Sequence, residues 1–282
     1  MAVVLALCSA ALFGAMTTLI RRAIERGANA EEGAVAAVAV AAAIAVPVAV
    51  VAAAGPGPAR VGAVWPFALA GILSPGLAQI FVTLALRDAG AARTSVAFGS
   101  APLVAVVIAL TVLGEPLRAP LIVGAVLIVL GGLALAVERD RPAHVRPIGL
   151  VYALTGVALF AGRDNLLRWL ARHDAPVAPV SAAVTLLVGV AVTLLWLRRI
   201  PARRSLVDYA PGGTAFGLSY LFLFEAYYRG RVSVVSPLVA TESLWGVLLA
   251  AVLLRHTELV GRRLVVGALL VVAGGALIGA FR

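Results

Sequence analysis

The sequence predicts an all-α integral membrane protein with ten transmembrane helices, arranged as two inverted five-helix repeats. Three observations carry that expectation. First, the 282 residues are 62% hydrophobic and 13% charged, with a mean hydropathy of +1.06, whereas a soluble domain is about 45–50% apolar and about 25% charged. So much apolar surface cannot be hidden in one soluble core, and it equally excludes a disordered chain. Second, ten apolar runs follow one another, each close to the ~20 residues a helix needs to cross a bilayer. Third, a pattern in residues 113–132 recurs 143 residues further on.

The first run, 2–22, is long enough to span. It has no basic residues before it, and Arg21 and Arg22 follow its apolar stretch. It therefore reads as a transmembrane helix rather than a signal peptide. The run 33–54 ends at the GPGP of 55–58, and 62–86 ends at Arg87-Asp88. The run 94–113 stops at Gly114-Glu115-Pro116, and 117–137 stops at the ERDRP of 138–142. After it come 148–170 with RHDAP at 172–176, 177–197 with RRIPARR at 198–204, and 207–228 with RGR at 229–231. The last two runs are 233–254 and 259–281. Their Ala/Leu/Val composition persists over whole helical turns and lacks the ten-residue alternation of a membrane β-barrel. Because lipid supplies no hydrogen bonds to the backbone, these runs are helices.

Leu113-Gly114-Glu115, then Gly124, then Gly131-Gly132 matches Arg255-His256-Thr257-Glu258, then Gly267, then Gly274-Gly275. Near the starts, Ala11-Leu12-Phe13 recurs as Ala158-Leu159-Phe160, and the same offset of 147 carries Arg21 onto Arg168. The chain thus divides into a first repeat over 1–137, a linker at 138–147 and a second repeat over 148–282. Five spans per repeat force the two copies into opposite orientations, a transporter device that places the substrate site near the midplane between the halves. The glycines at 124, 131, 132, 267, 274 and 275 are expected to let helices approach closely. Glu115 and Glu258 each open a helix, where the positive end of its dipole favours a carboxylate, and Pro116 suits a first turn.

Two five-helix repeats, each closing on a Gly-Glu or His-Thr-Glu turn and a glycine-rich last helix, resemble the EamA-type ten-helix transporters of the drug/metabolite transporter superfamily. Pro102 followed thirteen residues later by Glu115 fits that pattern; the second half has Trp245 in the matching place. The resemblance implies export or exchange of small metabolites by alternating access, without naming a substrate.

Ionisable groups inside a span cost about 2.5–3.5 kcal/mol at the bilayer centre, so they mark candidate substrate contacts. Glu242 is tenth in its run and lies between Thr241 and Ser243. Burial disfavours a charged carboxylate, so Glu242 could carry a coupling proton; ionised, it could hold a substrate ammonium. Arg163, Asp164 and Asn165 stand together on the sixth run, where the first repeat has Met16, Thr17 and Thr18. Asp164 can pair with Arg168 at i, i+4. Arg163 then needs another partner, either Glu242 or an anionic substrate group. Glu225 and Arg229 read as an interfacial ion pair. Phe216, Tyr220, Phe224 and Tyr227 share one face; of these, Tyr220 is mid-span and its hydroxyl needs a partner. Pro75, Gln79 and Thr83 form a polar face that either joins helices or lines the cavity. Pro47, Pro75, Pro102 and Pro237 interrupt spans, where freed carbonyls favour kinks and binding.

All 23 basic residues are arginine, giving a net charge of +10 and a pI near 11.2. Twenty-two of them are expected in loops or at helix ends, so they describe membrane topology rather than nucleic-acid binding. Gaps after the odd-numbered runs hold 15, which by the positive-inside rule places both termini outside. The family resemblance implies cytoplasmic termini, so the side stays open. Cys8 stands alone, and His144, His173 and His256 are scattered, so no disulfide, metal site or cofactor is expected. A chain without lysine cannot form a P-loop, which excludes ATP-driven transport by this chain alone. The reading is a secondary transporter of small polar metabolites, exporting amino acids or related solutes, in the cell membrane as a monomer or homodimer. Its alternatives are proton-coupled multidrug efflux and, in a different class, a membrane enzyme or lipid flippase-like protein.

Overall fold

The computed structural model describes residues 1–55, 64–101, 119–136, 145–170, 176–230, 238–254 and 261–281, together with 103, 104, 107, 111, 235, 256 and 257. Glu115, Pro102, Pro237, Glu258, His144, His173 and most of the 138–147 linker lie outside them. The described residues form helices joined by short turns, with no strand among them. Helices α1 (Ala2–Glu25) and α2 (Ala30–Ala53) match the first two apolar runs. The third run becomes α3 (Trp65–Gly71), a π-helical segment (Ile72–Leu77) and α4 (Ala78–Ala89). Then come α5 (Ala91–Phe98), α6 (Ala119–Ala136), α7 (Pro147–Leu170), α8 (Ala178–Leu197), α9 (Arg203–Arg229), α10 (Glu242–Leu253) and α11 (Arg262–Phe281). Four helices among the described residues are long and apolar enough to cross a membrane: Ala2–Glu25, Ala30–Ala53, Trp65–Ala89 and Ala178–Leu197. Shorter apolar helices add to them.

Packing follows the pattern of the repeat. α1 lies along α9, as α7 lies along α4, and α9 packs on α2, as α8 packs on α3 and the π segment. α5 meets α10, and α6 meets α11. Small residues allow these approaches. A Cβ added to Gly213 or Gly217 of α9 would lie 2.9 Å from Ala37 O or 2.8 Å from Ala41 O of α2. In the α6–α11 crossing, Gly124 faces Gly274 and Gly131 faces Gly267, each against the partner's carbonyl. Four of the six glycines chosen from the repeat spacing, Gly124, Gly131, Gly267 and Gly274, therefore pack helix on helix. Ser9 of α1 and Ser219 of α9 exchange hydroxyl-to-carbonyl bonds of 2.9 Å in both directions.

Pro47 does not interrupt its span: α2 runs continuously through it. Asn29 caps α2 by accepting from Glu32 N–H at 3.0 Å. Glu32 in turn caps α9 from across the molecule. Its Oε2 accepts from Ala202 N–H (3.1 Å) and from Ser205 Oγ (2.5 Å), while Oε1 meets Arg199 at 2.8 Å. Two bonds to a charged, buried acceptor outweigh an ion pair with a solvated arginine. Glu32→Ala is expected to cost about 1–3 kcal/mol and to lower the thermal midpoint in detergent. Arg199→Ala should leave that midpoint nearly unchanged.

Candidate functional site

The third span breaks where Ser74 leaves helical geometry (φ −149°, ψ 122°) just before Pro75. Proline has no N–H to continue the ladder, and the turns around it widen into the π segment. The break places the fully buried Ser74 hydroxyl 3.1 Å from the Tyr220 hydroxyl of α9. Arg163 of α7 reaches the same point. Its Nη1 donates to Tyr220 OH at 2.7 Å and to Ser74 Oγ at 3.5 Å. The Tyr220 oxygen accepts from Arg163, and either hydroxyl can donate in the Tyr220–Ser74 bond. Arg163 is 3% exposed and Tyr220 1%.

Aromatic rings surround this cation. The Arg163 guanidinium lies 5.0 Å from the Phe160 ring centre and 5.4 Å from that of Tyr220, distances at which a ring face attracts it. Phe160 packs edge-on against Phe13 (5.7 Å) and Phe98 (5.3 Å), and Phe216 joins Phe13 to Tyr220. Phe13 and Phe98 come from the first half of the chain and Phe160, Phe216 and Tyr220 from the second, so the cluster sits where the halves meet. A planar guanidinium in a low-dielectric pocket is suited to bind a carboxylate or phosphate two-pronged.

A second polar region adjoins the rings. α5 ends at Phe98 and passes into a tight turn at Gly99-Ser100, where Ser100 N–H bonds to Ala97 O at 3.0 Å. A matching turn at Ala240-Thr241, with Thr241 N–H on Leu238 O at 3.2 Å, precedes α10. Gly99 and Glu242 are 143 residues apart, so the two interruptions are repeat-related. They also abut, since a Cβ on Gly99 would come within 2.9 Å of Ser243 Cβ. Glu242, expected midway along the run 233–254, follows this interruption directly. It is the first residue of α10, half-buried, at the positive end of that helix. The Thr241 and Ser243 hydroxyls turn back onto Leu238 O (2.6 Å) and Ala240 O (3.1 Å). Trp245 is 37% exposed, with its Cβ packed over Gly14.

Gln79 is fully buried. Its amide nitrogen reaches Thr83 Oγ1 at 3.5 Å, while its Oε1 has no partner among the described residues. Asp164, Asn165 and Arg168 lie on α7, and their side chains fall outside the described ones. Glu225 and Arg229 form the expected exposed ion pair. The arginines differ from expectation. Arg21, 5% exposed, and Arg93, 1% exposed, are buried, so more than Arg163 is withdrawn from the surface. Sequence reasoning missed Ser74 and Phe160 as neighbours of Arg163, and Phe13 and Phe98 as the rings packed on Phe160. The one available signal was Ser74's position before Pro75.

The EamA-like transporter family model matches residues 1–137 and 147–280. The chain belongs to the EamA-like transporter family. A solved structure titled "Crystal structure of protein" is 18% identical, with a TM-score of 0.62 over 98% of this chain and 95% of that one, and shares the fold. No curated protein matches the chain. As an EamA-like protein the chain is a multi-pass membrane transporter with a small-molecule substrate and a lipid surround. The family match spans both halves that contribute to the Arg163 cluster.

Proposed function

We propose that this protein is a secondary transporter of small polar metabolites, exporting amino acids or related solutes across the cell membrane by alternating access between two inverted five-helix repeats totalling ten spans. One observation carries the reading: a buried arginine, Arg163, packed against the Phe160 and Tyr220 rings of the second half and held by Tyr220 and by Ser74 at a broken span of the first. A cation retained at that cost inside a membrane protein marks a substrate pathway. The repeat-related packings and the abutting turns at 99–100 and 240–241 support the inverted arrangement, because transporter sites form where discontinuous helices meet. In this reading Arg163 and Tyr220 take an anionic substrate group and Glu242 takes a cationic group or a proton. Asp164, Asn165, Gln79, Thr241, Ser243 and Trp245 stand as the remaining candidate contacts.

The aromatic cluster favours a second reading, proton-coupled efflux of apolar cations, with Glu242 as proton carrier. Uptake into proteoliposomes across a panel of amino acids, other metabolites and lipophilic cations, with and without a pH gradient, separates the two. The expected result is saturable movement of at least one zwitterionic solute, reduced about tenfold or more in Glu242→Gln, as the loss of one charge-assisted contact implies. Normal transport by Glu242→Gln would remove Glu242 from the site. Movement of lipophilic cations alone, driven by the pH gradient, would replace the metabolite reading.

A further inference from the structure

Of the buried charges, Arg21 lies outside the Arg163 cluster. It sits one turn before the end of α1 and is 5% exposed. Its Nη1 donates to Leu86 O at 3.0 Å and to Arg87 O at 2.8 Å, both at the C-terminal end of α4. Its Nε is held by Glu25 Oε1 at 3.0 Å, one turn further along α1. A guanidinium on the last carbonyls of a helix meets the negative end of the helix dipole and satisfies acceptors that have no partner within the helix. The other side of this helix end is gripped from the second half of the chain. Arg146 N–H bonds to Asp88 O at 2.6 Å, and Gly149 packs against the Asp88–Ala89 backbone. The end of α4 is thus clamped between α1 and α7.

The residues behind the clamp are closed off. Leu86, Ala89, Ala91 and Ala92 are fully buried, and Asp88 and Arg93 are buried with them. The opposite end of the molecule differs. There the last turn of α9, the counterpart of α4 in the repeat packing, leaves Tyr228 43% exposed and carries the solvated Glu225–Arg229 pair. Mid-span Ser100, Thr241 and Glu242 are only half-buried. The end of α4 is thus shut around Arg21.

We infer that Arg21 is the latch of the gate at the arginine-rich end: its bonds to the α4 carbonyls hold that end closed, and releasing them lets α1 and α4 part. This rests on the alternating-access reading above. α1 packs chiefly on α9 and α10, and α4 chiefly on α7, so the direct contact between α1 and α4 is small and Arg21 bridges it. A latch made to main-chain carbonyls does not depend on the partner's side chains. It also breaks as a unit, because one nitrogen makes both bonds. Alternation calls for a counterpart at the other end, and the repeat supplies an arginine, Arg168, at the corresponding place in sequence.

The test needs no substrate, so it fails or succeeds separately from the transport reading. Cys8 is the only cysteine. In the full-length Cys8→Ser protein in liposomes, spin labels are placed at Arg26 and Arg146, both exposed, at the ends of α1 and α7, and their separation is measured by pulsed electron resonance. The parent is expected to show mainly one short distance. Arg21→Gln is expected to gain a second, longer population, and Arg21→Lys, which keeps a cationic donor, to stay mainly short. If Arg21→Gln does not fold, Glu25→Gln, which only loosens the latch, is expected to show the longer population in smaller proportion. A folded Arg21→Gln with the parent's distance distribution overturns the inference. Where only Glu25→Gln folds, an unchanged distribution in it does the same.

Discussion

Arg163→Gln is expected to reduce transport about 10- to 100-fold while leaving the melting temperature of the detergent-solubilised protein unchanged or slightly raised. The two parts follow from different terms. A charge-assisted bond from the guanidinium to a substrate anion is worth about 1.5–3 kcal/mol, and each 1.4 kcal/mol is tenfold in rate. Burying the same guanidinium costs several kcal/mol of desolvation, which a neutral amide of smaller size largely avoids. The alternative is an arginine that only holds helices together, and it predicts the reverse. Leaving its hydroxyl partners unsatisfied would then destabilise the fold by about 1–3 kcal/mol and transport would fall only with the amount of folded protein. Arg163→Lys separates charge from shape. It keeps the cation but loses the planar fork that faces Phe160 and Tyr220, so an intermediate rate is expected. Initial rates in proteoliposomes, normalised to reconstituted folded protein, and thermal unfolding of the same preparations check both parts.

The helical fold was legible because lipid leaves the chain so few options. Runs such as 2–22 and 33–54 reappear as α1 and α2 with ends moved by about three residues, since hydropathy alone sets where a span sits. The glycine spacing was legible for a similar reason: Gly124, Gly131, Gly267 and Gly274 matter through position, which the sequence displays directly. The site was legible only in part. Arg163, Tyr220 and Glu242 announce themselves as polar groups in apolar runs. Phe13, Phe98 and Phe160 do not, because one more apolar ring in such a run carries no signal, and only the meeting of α1, α5 and α7 packs them on one another. Glu242 looked mid-helix because counting residues cannot detect that the helix restarts at Thr241. Arg21 and Arg93 sit next to turns and so read as topology. Their burial is decided by how the ends of α1, α4 and α5 pack, which is long-range information.

Alanine at the α6–α11 crossing is expected to destabilise the protein by about 1–3 kcal/mol, with an order among the four sites that the geometry sets in advance. A Cβ at Gly274 would lie 2.5 Å from Gly124 O, and at Gly131 2.6 Å from Gly267 O. At Gly124 the distance is 2.8 Å from Gly274 O, and at Gly267 3.0 Å from Gly131 O. Main-chain carbonyls cannot rotate aside, so the helices must separate. Gly274→Ala and Gly131→Ala are therefore the costly pair and Gly267→Ala the mildest, although alanine favours a helix over glycine by about 1 kcal/mol. Gly131→Ala with Gly267→Ala strains a single contact twice, so their costs combine to less than their sum. Gly124 and Gly131 are seven residues apart, about 10 Å along the axis, and touch different partners, so Gly124→Ala with Gly131→Ala should add. Unfolding of each variant in mixed micelles measures the set. Equal and small effects at all four positions would show that α6 and α11 do not depend on close contact, and would remove the reason for their repeat-related spacing.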